Sequence, residues 1–394
     1  MRNRLLDNAP LLRLAVCMII GIIIAHYVVL PIPMLPVLIG ILVIALLLQK
    51  YENMQSLAIQ FCFLIMGMFL MQRQHTMPDN SQTTTSIDRS KAFFMQQREK
   101  LLERFSDNGI DGDAYAVVAA MSLGDKSALT HNLKDTYSVS GASHVLALSG
   151  LHLGIIYMLF SLLLPRRRWP ALSQLVIILF VWAFVFLVGM SVSVVRSAIM
   201  LTVYGLLSIG NRDKMSINAL SFTAIAMLMW NPTWLFDVGF QMSFMAVLAI
   251  LLFVPLLEDV LPADYLMEHR WIRRIWGLIV VSCSAQLGVA PLIAFYFGRF
   301  STYFLLTNFI VIPAAMVILW LSIVVLVLPS LAYILLYILE FLNASLNRIT
   351  TIPGACIDGL HPSVLQVVLI YILIFSCYLL IERIKPIMGW RASR

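Results

Sequence analysis

Apolar and polar positions alternate on a coarse scale along this chain, in blocks rather than residue by residue. Continuous apolar runs about twenty residues long recur, separated by short polar or basic breaks. That length suits a helix crossing a bilayer, whereas a membrane barrel needs short alternating segments. The runs predict spans near 12–30, 34–49, 54–71, 141–164, 171–190, 192–209, 215–229, 235–257, 275–297, 302–328, 330–349 and 363–383. The expected fold class is an all-α polytopic integral membrane protein of about twelve transmembrane helices. Pro31 and Pro33 close the first run without a small-residue cleavage pattern, so it reads as a retained helix rather than a leader. The chain divides into an N-terminal three-helix segment (1–72), a hydrophilic loop (73–140), a central core (141–330) and C-terminal helices with a tail (331–394).

Basic residues test this map. With the N-terminus in the cytoplasm, the inner segments collect Arg2, Arg4, Arg13, Lys50, Arg166, Arg167, Arg168, Arg212, Lys214, Arg270, Arg273, Arg274, Arg383, Lys385, Arg391 and Arg394. The short outer loops keep only Arg299 and Arg348. This asymmetry follows the positive-inside rule, and it predicts two cytoplasmic termini and an external 73–140 loop. Trp169, Trp230, Trp234, Trp271, Trp276 and Trp390 fall at expected span ends, where an aromatic belt belongs.

Within the loop, 74–90 is polar and without pattern. Over 93–105, Phe94, Leu101, Leu102 and Phe105 recur at helical spacing, with Arg98, Lys100 and Glu103 assigned to the opposite side. This predicts an amphipathic helix lying in the membrane interface, or alternatively packed on the bundle. A short helix over 113–122 would end at Gly124, and Thr130 would cap a third.

Composition agrees: 61% of the 394 residues are hydrophobic and 12% charged, an apolar excess that a soluble chain of this size could not cover. The net charge of +7 is explained by topology. Cys17, Cys62, Cys283, Cys356 and Cys377 show no metal-ligand spacing and predict neither a disulfide framework nor a zinc site. The seven histidines form no metal cluster, there is no phosphate-binding loop, and no cofactor is expected.

The candidate chemistry lies inside the membrane. Segment 141–154 carries His144, Ser149 and His152 at the start of a span. Read as one helix, Ser149 and His152 fall about 140° and 80° from His144, giving a polar half. Gly150 and Gly154 would form a small-residue strip for helix packing on the other side. The alternative is that both histidines only bond neighbouring helices. Arg196 lies in the span 192–209, while Asp237 and Gln241 share a face of the span 235–257, so an Arg196–Asp237 pair is possible. Such a pair can be structural or can line a pore. Gln286 with Pro291, and Asn308 with Pro313, mark two kinked, polar-faced spans. Phe236, Phe240 and Phe244 recur one turn apart; packing or lipid contact is favoured over base stacking.

The run Gly141–Gly154, G-x-S-H-x-L-A-x-S-G-L-H-x-G, resembles the signature of the ComEC family of DNA-internalisation competence proteins. Further blocks follow in the family's order. These are Ser-Leu-Gly-Asp-Lys-Ser at 122–127, Arg196 to Met200, Asn231-Pro232 with Phe236 to Phe244, Gln286 with Pro291, Phe297-Gly298, and Asn308 to Pro313. The resemblance covers roughly residues 110–320 and implies a channel for single-stranded DNA in the bacterial cytoplasmic membrane. By that resemblance His144, Ser149, His152, Arg196, Asp237 and Gln241 are pore or core residues. The fullest family members add an external β-barrel domain and a metallo-β-lactamase-like domain; neither has a counterpart in this sequence, so strand degradation is not expected of it. An external DNA receptor, a separate nuclease and a cytoplasmic motor become expected partners. Two other readings stand beside the channel. One is a small-solute secondary transporter or ion channel. The other is an intramembrane serine hydrolase built on Ser149, which the close spacing of Ser149 and His152 disfavours.

Overall fold

The structure, a computed structural model, describes residues 9–28, 33–76, 86–164, 169–209 and 217–384. The basic runs at 166–168 and 212–214, both termini and the middle of the polar stretch 74–90 lie outside the described residues. Described helices account for every expected span. Eight are long and apolar enough to cross a membrane, and shorter apolar helices fill the remaining places. The protein is an all-α, multi-pass membrane protein. Its one described sheet is a two-stranded antiparallel pair, β1 (Arg299–Ser301) with β2 (Cys356–Asp358). The chain forms two compact units, one of residues 1–86 with 199–241 and the other of residues 87–198 with 242–394.

The first unit is built on α1 (Pro10–Tyr27), α2 (Met34–Leu47) and α3 (Glu52–Thr76), joined by α11 (Ile217–Trp230). α1 and α3 touch backbone to backbone. A Cβ on Gly21 would collide with the Leu64 carbonyl, and one on Gly67 would collide with the Met18 carbonyl. In lipid no hydrophobic force holds helices together, so this reciprocal glycine contact is what brings the backbones into van der Waals range. The Leu11 N–H donates to Asn218 Oδ1 at 3.3 Å, and His26 lies against Phe236 with ring centroids 4.2 Å apart.

The second unit contains α4 (Ser86–Asp107), α5 (Gly112–Val118) with a π-helical turn (Ala119–Leu123), α6 (His131–Val139), α7 (Ser143–Leu146), α8 (Gly150–Leu163) and α9 (Pro170–Leu187). It is completed by α13 (Ala263–Glu268), α14 (Arg270–Phe297), α15 (Phe304–Val325), α16 (Ala332–Thr350) and α17 (Val364–Ile384). Two helices, α10 (Val192–Ile209) and α12 (Val238–Glu258), run through the division between the units.

The hydrophilic stretch after α3 carries the expected helices, with Gly124 ending the second at φ +74° and Thr130 Oγ1 accepting from the Leu133 N–H at the start of α6; of the two placements open to the first helix, it takes packing on the bundle. α4 exists, but its apolar stripe does not face lipid: Phe105 is fully buried and Leu102 nearly so, in one core with Ile110, Val117 and Tyr137. α16 supplies the other wall of that core. Its Leu335, Leu339, Leu342, Leu346 and Ile349 follow a helical stripe and are all buried. The assignment of Leu102 and Phe105 to an interfacial face is therefore corrected. Leu101 packs against the same core, and Phe94 stacks on Phe186 with centroids 5.7 Å apart. Arg98 is corrected as well: it sits between Phe94 and Leu101 on the inward face and pairs with Asp125 at 3.8 Å.

Polar contacts fasten this core. Tyr137 Oη donates to Asn343 Oδ1 at 2.8 Å, and Thr136 Oγ1 to Asn347 Oδ1 at 3.2 Å. Arg299 of β1 bridges Asp135 of α6 and Asp358 of β2. The hydrogen bond to Asp135 raises the Arg299 pKa above its already high ordinary value, so this bridge persists at neutral pH. Gly141, at φ +85°, lies against Ser301, and Thr307 Oγ1 donates to the Ser140 carbonyl at 2.7 Å. These bonds fix the end of α6 from which the 141–154 segment departs. The cysteines are free; burial, with a further push from Asp358, raises the Cys356 thiol pKa, so it is protonated at neutral pH.

Candidate functional site

The segment 141–154 is not one helix. α7 lasts four residues, Ala147 is extended (φ −92°, ψ 121°), and Ser149 is extended (φ −127°, ψ 176°) as the N-cap of α8. The single-helix angles of His144, Ser149 and His152 are corrected by this break, while His144 and His152 stay close enough to interact electrostatically. Its cause lies in the sequence. Ser149 and His152 form a capping box in which histidine takes the place usually held by Glu or Gln. The Ser149 N–H donates to His152 Nδ1 at 3.3 Å, and Ser149 Oγ lies 3.1 Å from the same nitrogen.

This bonding sets the chemistry of the ring. Nδ1 receives an N–H, so in the neutral imidazole the proton sits on Nε2. His152 is fully buried, and its Nε2 makes no hydrogen bond of normal geometry among the described residues, although the Val145 backbone interacts with the ring. His144 takes the opposite tautomer. Its Nδ1 lies 3.1 Å from the Gly141 carbonyl, which can only accept, and the side chain is exposed.

The break brings α8 onto α10. A Cβ on Gly150 would lie 2.8 Å from Ser197 Oγ and 4.0 Å from an Arg196 guanidinium nitrogen. Gly150 is thus a close-packing glycine. Gly154 is not, because nothing lies within 4 Å of a Cβ built there. The expected two-glycine strip is corrected to Gly150 alone.

Arg196 is only 4% exposed. Its Nη2 reaches Ser193 Oγ and Ser197 Oγ, each at 3.4 Å, and the guanidinium stands 5.8 Å over the Phe244 ring. Ser193 Oγ in turn lies 3.4 Å from Ser243 Oγ. Sequence reading missed these three serines. The available signal was that Ser193 and Ser197 flank Arg196 at i−3 and i+1 in an otherwise apolar helix. Gly150 thus sets Arg196 against the first turn of α8, which the Ser149–His152 cap begins. That end carries the positive pole of the helix dipole. Donors dominate: guanidinium, imidazole N–H, hydroxyls and helix N-terminus. Such a set suits oxygen-rich anions.

The remaining candidates have local contacts of their own. Asp237 belongs to the first unit and caps α12, its Oδ1 accepting from the Phe240 N–H at 2.8 Å. Gln241 Nε2 donates to the Leu235 carbonyl at 3.0 Å, so both side chains serve the start of their own helix. The three phenylalanines do not form one row: Phe236 closes a 3₁₀ turn beside His26, Phe240 is buried, and Phe244 lies under Arg196. Gln286 is half-buried on α14. Asn308 Oδ1 on α15, with Ser282 Oγ and Ser284 Oγ on α14, is buried without a hydrogen bond among the described residues. Gly288 of α14 lies against Met245 and Ala249 of α12, and its carbonyl accepts from Tyr371 of α17 at 2.8 Å, which locks three helices together. Among the described residues no group of three metal-ligating side chains occurs.

The chain is 28% identical over 214 residues to ComE operon protein 3 of Bacillus subtilis (strain 168), covering 53% of this chain and 26% of that protein. It is 34% identical over 198 residues to an uncharacterized protein of Aquifex aeolicus (strain VF5), covering 50% of this chain and 44% of that one. It is 28% identical over 159 residues to competence protein ComA of Neisseria gonorrhoeae, covering 37% of this chain and 22% of that protein. The chain thus spans less than half the length of each of these relatives. No solved structure matches it. The sequence model of the Competence protein family matches residues 121–384, a stretch that holds the broken helix, the buried arginine and the kinked spans, and the chain belongs to that family.

Proposed function

We propose that this chain forms a channel that passes single-stranded DNA across the bacterial cytoplasmic membrane during natural transformation. The observation that carries the reading is a set of donors at a helix break inside a membrane protein, with buried His152 and half-buried Ser149 in the cap of α8 and buried Arg196 facing Gly150. Charged and polar side chains at membrane depth are costly and mark transported species. A strand brings a regular row of phosphate oxygens, which Arg, Ser and helix N-termini bind without reading sequence. A single cation beside neutral donors grips weakly enough to release, as conduction requires.

In this reading the termini lie in the cytoplasm, the chain is not an enzyme, and receptor, nuclease and motor are other proteins. The names of two relatives, competence protein ComA and ComE operon protein 3, support the process. The hydrolase reading gains one contact, Ser149 Oγ to His152 Nδ1. It is disfavoured because Ser149 has ordinary extended angles rather than a strained nucleophile turn. In a naturally transformable host, deleting the gene is expected to abolish transformation by added DNA and leave electroporation intact. Unchanged transformation in the deletion strain would overturn the channel reading and favour solute transport.

A further inference from the structure

A cavity of about 240 Å³ lies within the second unit, walled by four helices. Phe94 and Leu101 come from α4, Ile156 from α8, Phe180 and Ala183 from α9, and Leu319 from α15. Two serines also reach it, but both have their hydroxyl protons engaged: Ser122 Oγ donates to the Val118 carbonyl and Ser322 Oγ to the Leu319 carbonyl. The rest of the wall is apolar. It exceeds the cavity of about 150 Å³ that stays dry and accepts benzene, so apolar matter rather than water suits it.

Beside this apolar wall stands a cation. Arg98 is four residues after Phe94 and three before Leu101, on the same face of α4. Its guanidinium lies 3.9 Å from the Cβ position of Gly189, at the bend between α9 and α10. Its ion pair with Asp125 is long, 3.8 Å. The Asp125 carboxylate is meanwhile held by the Ser127 N–H at 3.1 Å and the Ser127 hydroxyl at 2.9 Å. Arg98 thus keeps donors for an anion beside the cavity.

We propose that this cavity holds an acyl chain of an anionic phospholipid whose phosphate meets Arg98. The occupant follows from the surroundings. The unit is a membrane bundle, the medium around it supplies acyl chains, and only an amphiphile with an anionic head matches an apolar slot bordered by a mostly buried arginine. The lipid would join α4 to α8, α9 and α15, filling space that the side chains leave open. This site is separate from Ser149 and Arg196, and its assignment to lipid does not depend on which solute crosses the membrane.

Native mass spectrometry of the full chain in detergent tests it, with phosphatidylglycerol or phosphatidylcholine added in equal amounts. The wild type is expected to retain one phospholipid, preferring phosphatidylglycerol by about tenfold, the worth of one charge-assisted contact. Ala183→Trp fills the slot and should remove the adduct, and the smaller Ala183→Leu should weaken it in a chain that folds. Arg98→Gln should keep an adduct but lose the headgroup preference. A wild type without retained lipid, or adducts unchanged by both Ala183 variants, would overturn the proposal.

Discussion

Gly67→Val removes most of the protein from the membrane fraction, and Gly21→Val does the same. In α1 and α3 each of these glycines faces the other helix's backbone, a carbonyl rather than a flexible side chain. A valine cannot be accommodated by a rotamer change, so the helices must separate along their whole contact. Overpacking costs about 1–3 kcal/mol when neighbours can shift, and more when the neighbour is backbone. Helix association in lipid has only close packing and hydrogen bonds to draw on, so little offsets the loss. Gly40→Val is the control, because nothing lies within 4 Å of a Cβ there. Membrane abundance by blot, with thermal unfolding in detergent, should separate the two classes. Normal abundance and stability of Gly67→Val would contradict the contact.

The spans could be read from the chain because each is a long apolar run, and no tertiary contact was needed to see them. The packing of α1 on α3 could not. Gly21 and Gly67 are isolated glycines in apolar helices, and nothing local says that they face each other. The break at 147–149 was hidden for a different reason. Ala147-Leu148-Ser149 contains no proline or glycine, and hydropathy runs straight through it. The legible sign was Ser149 with a polar residue three positions on, a helix start inside an apparent span. Arg98 was misplaced by treating charge as a sign of solvent; its spacing from Phe94 and Leu101 already put it inward. Of the site, Ser149, His152 and Arg196 were visible as polar residues in apolar runs. Their convergence was not, because it depends on the break and on Gly150 meeting Ser197.

Arg196→Ala and His152→Ala lower transformation by about 10- to 100-fold each, the equivalent of one hydrogen bond to a charged group worth about 1.5–3 kcal/mol. Arg196 is the stronger case. Keeping a guanidinium 4% exposed costs desolvation energy. Abundance of Arg196→Ala is expected to stay near that of the wild type while uptake fails. Arg196→Lys should recover part of the activity, because charge is kept but the planar fork is lost. His152→Ala removes the acceptor for the Ser149 N–H and with it the α8 cap, worth about 1 kcal/mol. His152→Asn keeps an acceptor for that cap, so a defect that persists in it belongs to the buried donor rather than to the fold. Parallel loss of protein and of transformation in all these variants would assign the cluster a structural role instead.

The most direct measurement places a photo-crosslinking amino acid at position 144, exposed beside the helix break, and another at Leu163, which is 69% exposed on the far end of α8. Cells are illuminated while taking up labelled DNA, with transformation by both variants verified. The channel account predicts a covalent adduct with the incoming single strand from position 144 and none from 163. Entry of the strand with no adduct at 144, or equal adducts at both positions, would contradict a path along Ser149, His152 and Arg196.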